Sequence, residues 1–243
     1  MSISSKIESL ITAANSVTGE SRTDLTSAVQ DLKDGYGGGG LPSEYEAVEY
    51  IESTGTQYII TDYVPNIYSN VNVKYRLREI PSVDYFDLFG VNVGGLQPPA
   101  FYMTFEKPDS NRLKFRQYWT NNNCYIQSGD TGYSINEDHI ASFGGMKNVF
   151  VDGAVARNEN SNFLSFTNSQ KLFIFALNVN NTAMHTGGRW RVYYFKVINI
   201  ANGNLELNLV PCKRKADDEA GLYDLVNGVF YTNQGTGDFV VPT

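Results

Sequence analysis

The sequence predicts a mainly β protein preceded by a short α-helical segment. After residue 40, apolar and polar residues alternate along many short stretches, and Asn-Gly or Asp-Gly pairs separate several of them. Before residue 40, apolar residues instead recur every three or four positions. The 16 Tyr and 14 Phe residues, against 19% charged residues, favour a packed aromatic core over disorder.

The N-terminal segment, residues 1–36, has the spacing of two short coiled-coil helices. The apolar residues that define the two seams are Ile3, Ile7, Leu10, Ala14, Val17, Leu25, Val29 and Leu32. Each seam covers about two heptads, which is too short for a stable isolated helix. We therefore expect the helices to assemble with sister copies or with another protein. The alternative is that they pack on the body of the same chain.

Residues 37–40 are four consecutive glycines, which predict a flexible linker. From residue 41 to residue 243 the pattern is one of short strands. Val71 to Leu77 alternates apolar with polar residues, whereas Tyr85 to Val91 and Leu172 to Leu177 are more continuously apolar and should lie deeper. Ala100 to Phe105 and Leu113 to Tyr118 add two further strands.

Three tight turns are predicted from residue pairs that tolerate positive φ. Asp152-Gly153, Asn202-Gly203 and Asn227-Gly228 each lie between two apolar stretches, as expected for β-hairpins with type I′ turns. The longest strand is Trp190 to Ile200, whose alternate residues should face a common core. In total we expect about ten to twelve strands, in a sandwich or a barrel.

Two long motifs resemble a known family. They are the segment Glu49 to Ile59, EYIESTGTQYI, and the segments RVYYFK, VPCKRK and GLYDLVNGVFY between Arg191 and Tyr231. Together they resemble the opening and closing parts of a concanavalin A-like (laminin-G-like) jelly-roll domain of the kind found in phages and prophages. The resemblance implies a sandwich of two antiparallel sheets over residues 41–243, in a virion appendage of tail or head fibre type, often associated with glycan binding.

The resemblance also bears on partners. The helical segment before a glycine run is similar to N-terminal pieces of phage fibre proteins, so we expect contacts with other virion proteins and a homo-oligomer, with a trimer favoured. The first residues show no secretory signal, and the expected location is the virion, after synthesis in the host cytoplasm.

Charge and composition argue against several other partners. The net charge is −7 and the basic residues are scattered, which speaks against nucleic acid, and no stretch is apolar enough to insert into a membrane. Cys124 and Cys212 are too few for a disulfide scaffold; two separate core thiols are the favoured interpretation, and one long-range disulfide is the alternative.

We find no pattern typical of a catalytic site. The E-x-D-x-E motif of laminarinase-like glycoside hydrolases is missing, and the acidic run from Asp217 to Glu219 is expected to be a solvated turn. His139 and His185 have no second histidine at metal-binding spacing, so each is expected in a loop or in the core. The sequence therefore predicts no enzyme, no cofactor and no metal.

A ligand site is predicted from residue types that bind sugars. Aromatic rings can stack on sugar faces while amides and guanidinium groups bind the hydroxyls. One loop combines these groups, and its candidate residues are Arg116, Tyr118, Trp119, Asn121, Asn122 and Tyr125. Arg189-Trp190 is a second candidate. The alternative for both places is that the aromatic residues belong to the core and the asparagines form turns.

The sequence thus predicts a non-enzymatic phage virion protein whose β-sandwich is displayed for adhesion to host-surface or environmental glycans. One alternative is a capsid or tail decoration protein without a ligand. Another is a polysaccharide depolymerase that uses dispersed carboxylates.

Overall fold

A computed structural model describes residues 8, 11–12, 40–93, 100–106, 112–116, 126–127, 134–145, 148–158 and 168–242. The eight seam residues of the predicted N-terminal helices lie outside these residues, and so do glycines 37–39 of the predicted linker. Both therefore stay predictions.

The described residues form eighteen strands. In chain order they are β1 Tyr45–Ala47, β2 Ile51–Glu52, β3 Ile59–Ile60, β4 Ser69–Glu79, β5 Tyr85–Asn92, β6 Ala100–Glu106, β7 Arg112–Arg116, β8 Ile126–Gln127, β9 Asp138–Phe143, β10 Asn148–Val151, β11 Ala154–Asn158, β12 Phe173–Ile174, β13 Leu177–Val179, β14 Thr182–Met184, β15 Arg189–Asn199, β16 Leu205–Arg214, β17 Ala220–Asp224 and β18 Val229–Thr232. The predicted number of ten to twelve is too low, because several strands of two or three residues carry no readable alternation.

The strands belong to two sheets. In the larger one the order is β11-β10-β9-β4-β15-β16-β17-β18, with β1 beside β16 and β2 beside β15. In the smaller one the order is β14-β13-β5-β6-β7-β8, with β12 beside β5 and β3 beside β12. Every strand pair of the larger sheet is antiparallel, whereas β13 runs parallel to β5 in the smaller sheet.

An aromatic core joins the two sheets. Phe89 of the smaller sheet meets Phe195 of the larger one edge to face, with ring centroids 4.9 Å apart. The ring centroids of Phe86 and Trp190, which also belong to different sheets, are 5.5 Å apart, with the rings tilted by 45°. Burying side chains of this size contributes about 1.5–3 kcal/mol each, so these contacts hold the layers face to face. The mainly β prediction is confirmed, and the arrangement is that of a sandwich.

The alternation of buried and exposed residues along β15 changes in the middle of the strand. Trp190 and Val192 face the core, but beyond them Phe195 and Val197 are the buried residues instead of Tyr194 and Lys196. The cause is a β-bulge between Val192 and Tyr194, where β15 has one residue more than β4. The prediction that every second residue of this strand faces one core is therefore wrong beyond Val192.

The three predicted hairpins are present, but only one has the predicted turn. Asp152 and Gly153 both have positive φ, at 52° and 78°, as a two-residue type I′ turn requires. At the other two hairpins only Gly203 and Gly228 have positive φ, and each donates its N–H to a carbonyl four residues earlier. These loops are longer, with glycine alone in the left-handed position, so the type I′ prediction is wrong there.

The segment that opens the sandwich lies against the segment that closes it. Glu52 and Val240 exchange two backbone hydrogen bonds, of 2.8 and 3.0 Å. The Gln57 side chain donates to the Asp238 carbonyl at 3.1 Å, while its side-chain oxygen accepts from the Thr54 N–H at 2.8 Å. Gln57 thus folds the 53–57 turn onto the C-terminal residues, and the two ends of the domain share one hydrogen-bond network.

Candidate functional site

The outer side of the larger sheet carries a row of cations. In β4 the residues Val71, Val73, Tyr75 and Leu77 are buried, so the residues between them point away from the core. Three of these outward residues are Lys74, Arg76 and Arg78. The neighbouring strand β15 adds Arg189 and Arg191, which pair in register with Glu79 and Arg76 of β4.

Two tyrosines lie among these cations. The β15 bulge brings Tyr193 to the outer side, where Lys74 Nζ lies 4.3 Å from the centre of its ring. Tyr50 meets Tyr193 edge to face at 5.7 Å, and the Arg191 guanidinium lies over the Tyr50 ring at 3.9 Å. We call this surface the cationic face; it comprises Tyr50, Glu52, Lys74, Arg76, Arg78, Glu79, Asp138, Arg189, Arg191 and Tyr193.

One end of the cationic face is organised by a buried carboxylate. Glu52 is 2% exposed, and its Oε2 accepts from Arg191 Nε at 2.6 Å. Its Oε1 accepts from Arg189 Nη2 at 3.2 Å, and Arg78 Nε lies 3.4 Å from Oε2. Burying a carboxylate is costly unless it is paired, and here three arginines share that role.

Asp138 organises the other end. Its carboxylate accepts from Arg76 Nε at 2.6 Å and lies 3.0 Å from Lys74 Nζ. Partial burial alone would raise its pKa, but hydrogen bonds from Arg76, Tyr193 and Lys74 outweigh this and lower the pKa to about 2. The pKa of Tyr193 is raised to about 12, first by burial and then by Asp138. Asp138 is therefore a fixed anion and Tyr193 a neutral hydrogen-bond donor at any ordinary pH.

The cationic face can bind groups that accept hydrogen bonds. Each guanidinium has five N–H donors in a planar fork, which suits carboxylates, phosphates and sugar hydroxyls. In the described part of the chain, the hydrogen bond that fixes the Arg76 side chain uses only its Nε. Its terminal nitrogens keep donors for an external partner. About a quarter to a third of the Lys74, Arg76 and Arg78 side chains is exposed, so the row is both held in place and reachable.

A pocket of about 440 Å³ lies elsewhere, between the β16–β17 loop and the C-terminal residues. Its lining includes Asp217, Asp218, Glu219 and Asp238. Asp217 and Glu219 are both bound by Arg214, which makes the loop the solvated, charge-balanced turn that the sequence predicts. Asn233, also in the lining, is held by the main chain: its Nδ2 donates to the Gly237 carbonyl, and its Oδ1 accepts from the N–H groups of Gly235 and Tyr58.

Each histidine is paired with an aspartate. His139 is buried, which agrees with the core position that was one of its two predicted positions. Its Nδ1 lies 2.8 Å from Asp152 Oδ2. His185 Nδ1 lies 2.7 Å from Asp87 Oδ2, and Asp87 is fully buried. Partial burial lowers the pKa of His185, but the hydrogen bond and the charge of Asp87 outweigh it, so the pKa is raised above 6.5.

The side chains of the predicted ligand residues in the loop lie outside the part of the chain that the structure describes. Arg116 ends β7, where only the backbone is described, and Tyr118, Trp119, Asn121, Asn122 and Tyr125 lie outside the described residues, as does Cys124. They stay predictions. Cys212 is a buried free thiol.

The second ligand candidate is corrected by the structure. Trp190 is fully buried between Tyr75 and Phe86, so its ring cannot stack on a sugar. The structural alternative, a core tryptophan, is the right one. Arg189 next to it does lie on the cationic face, because neighbouring residues of a strand point to opposite sides.

Sequence reasoning missed the cationic face itself. Its residues come from four places in the chain, and each place looks like an ordinary polar strand face. The available signal is the run of Lys74, Arg76 and Arg78 at every second position, which puts three positive charges on one side of one strand.

Within the described ranges, no three or more His, Cys, Asp or Glu side chains are grouped so that they could hold a metal ion. The same ranges contain no helix of the length and apolarity needed to cross a membrane.

Comparisons with known proteins add no relative. No protein-family model matches the chain, and no curated protein matches it.

Proposed function

We propose that this chain is a phage virion protein whose β-sandwich is displayed for adhesion to glycans on a host surface or in the environment. The observation that carries the proposal is the cationic face, where partly exposed lysine and arginine side chains lie beside carboxylates and tyrosines. Such groups form hydrogen bonds with hydroxyls and with acidic substituents of sugars. The predicted loop from Arg116 to Tyr125 is a second place for sugar contacts.

The finer fold belongs to the same proposal. We infer a concanavalin A-like jelly roll over residues 41–243, because the two motifs that resemble this family are physically joined. Ile51 and Glu52 of the opening motif pair with Val192 and Arg191 of the closing motif, as antiparallel neighbours in β2 and β15. Residues about 140 positions apart in the chain thus belong to one sheet, as expected if the two motifs are the opening and closing parts of a single domain.

Assembly through residues 1–36 would make the adhesion multivalent. The proposed homotrimer, or an assembly with other virion proteins, places several sandwiches side by side, so that avidity compensates for weak single sites. Light scattering on the full chain and on a chain that begins at Leu41 tests this. An oligomer that becomes a monomer on truncation supports the proposal, and a monomeric full chain contradicts self-assembly.

The adhesion function is tested by a glycan array probed with the full chain. Binding to a defined set of glycans, reduced by substitution of Arg76 or Trp119, supports it. An array without any signal, for a protein shown to be folded by its thermal transition, contradicts it.

A structural role without a ligand is the second candidate, and one observation favours it. The cations of the face are already engaged within the chain: Arg189 and Arg191 bind Glu52, while Lys74 covers a face of Tyr193. A decoration protein should stay tightly bound to the virion through its N-terminus and give an empty glycan array.

A further inference from the structure

We propose that the ligand of the cationic face is an acidic polysaccharide, bound through its carboxylate or phosphate groups by the row of cations around Arg76 and Arg191. This inference rests on the proposed adhesion function and names the class of glycan.

The first argument is charge. The cationic face contains five cations, Lys74, Arg76, Arg78, Arg189 and Arg191, and three carboxylates, Glu52, Glu79 and Asp138. Each cation lies near one of these carboxylates, but the carboxylates are shared, and the surface keeps a net charge of +2 (five minus three). The whole chain has a net charge of −7, so a locally positive surface runs against its overall balance. A bound anion would restore neutrality at this place.

The second argument is the register of the two central strands. Arg76 of β4 and Arg191 of β15 are direct cross-strand partners. The Cβ atoms of such partners lie about 5 Å apart, and like charges placed directly opposite each other are destabilising. The two carboxylates that hold them are on different sides, Asp138 for Arg76 and Glu52 for Arg191. Tyr193 is hydrogen-bonded both to Asp138 and to Arg191. A cross-strand pair of like charges breaks a local rule of sheet stability, and such local conflicts are expected at functional sites.

The third argument is shape. Lys74, Arg76 and Arg78 are alternate residues of one strand, so their side chains leave the sheet at intervals of roughly 7 Å. Their exposed fractions are similar, at 31%, 26% and 30%. A row of similarly exposed cations suits a polymer with repeated acidic groups better than a single small anion.

Nucleic acid is also a polymer of anions, but its binding rests on many phosphate contacts along a broad basic surface. Here the positive surface is a row of cations on one face of the sheet, which is too narrow for many phosphate contacts along a duplex. The same row suits a glycan with spaced acidic groups, which needs fewer contacts.

The test measures binding of the full chain to four immobilised polymers: a polygalacturonate with carboxylates, a teichoic acid with phosphates, neutral dextran and single-stranded DNA. We expect binding to an acidic polymer, weakened by added salt, and none to dextran. The two acidic arms decide which anionic group is preferred. Lys74→Gln and Arg76→Gln should each weaken binding about tenfold, the loss expected for one charge-assisted contact.

Two further variants separate lost binding from lost folding. Asp138→Asn removes the carboxylate that holds Lys74 and Arg76, and it should strengthen binding, which no unfolded variant would do. Lys171→Gln removes the same charge from an exposed lysine paired with Asp62, away from the cationic face, and should leave binding unchanged.

The outcomes are distinguishable. If the chain binds dextran, and neither added salt nor any of the four substitutions changes the affinity, the acidic ligand is wrong but adhesion to glycans is still supported. Equal binding to single-stranded DNA and to polygalacturonate shows unselective attraction of polyanions and also overturns it. If the full chain binds no polysaccharide here or on a glycan array, the adhesion function fails together with this inference.

Discussion

Gly235 lies so close to the carbonyl oxygen of Thr56 that a Cβ atom at position 235 would be 1.9 Å from it. No side chain can be accommodated there without moving the main chain, because the obstructing atom belongs to the backbone. This contact lies where the opening and closing segments of the sandwich meet, and it makes glycine a requirement of that junction.

We predict that Gly235→Ala destabilises the protein by about 3 kcal/mol, since the two segments must separate to relieve the overlap. The midpoint of urea unfolding measures this. Gly40→Ala is the matched control, because nothing lies within 4 Å of a Cβ atom at Gly40 and no positive φ is required there. Equal stabilities of the two variants would contradict the role of the junction.

The buried carboxylate of Glu52 should be far more important than the exposed one of Glu79, although both bind Arg189. Glu52→Gln leaves the mostly buried guanidinium group of Arg191 without its partner charge and removes one of the two carboxylates that bind Arg189, at a cost of about 2 kcal/mol. Glu79→Gln removes a contact at a side chain that is 54% exposed, and it should change stability by less than about 0.5 kcal/mol. Denaturant unfolding of both variants measures the difference, and similar losses would contradict it.

Asp224 should hold the turn that follows β17. It is fully buried, and its Oδ1 accepts the N–H groups of Asn208 and Val226, each at 3.0 Å. Asp224→Ala leaves these two donors without the carboxylate, and we expect a loss of about 2 kcal/mol in urea unfolding. Asp218→Asn, at a side chain that is 84% exposed, is the control and should be neutral, because asparagine tolerates the φ of +58° at this position. An unchanged midpoint for Asp224→Ala would show that the donors find other acceptors.

Stability should depend on pH through His185. Its pKa in the folded protein is raised above the usual 6.5 by Asp87. Stabilisation by the charged pair is therefore fully present below the unfolded pKa and is lost as pH rises through the folded pKa. The difference in unfolding midpoint between wild type and His185→Asn should be larger at pH ~5.5 than at pH ~8.5. Asparagine is chosen because His185 has a φ of +57°, which asparagine tolerates. A difference that is the same at both pH values would contradict the linkage.

Much of the fold could be predicted from the sequence by itself. The alternation from Val71 to Leu77 determines which side of β4 is buried, because successive side chains of a strand point to opposite sides. Asp152-Gly153 likewise adopts the predicted turn, since both residues tolerate the positive φ that a two-residue hairpin needs. The position of each hairpin follows from local sequence, but the turn type does not, because Asn202-Gly203 and Asn227-Gly228 have the same tolerance and form longer loops.

The tertiary structure alone decided the rest. The bulge at Tyr193 depends on how β15 pairs with β4. Because of it, Phe195 and Val197 are buried in the second half of β15, instead of Tyr194 and Lys196. Trp190 became a core residue because Phe86, more than a hundred positions away, packs on it. The cationic face likewise needs Glu52, Arg76 and Arg191 side by side, and strand pairing between distant segments is set by burial of the whole core, which no single stretch of sequence contains.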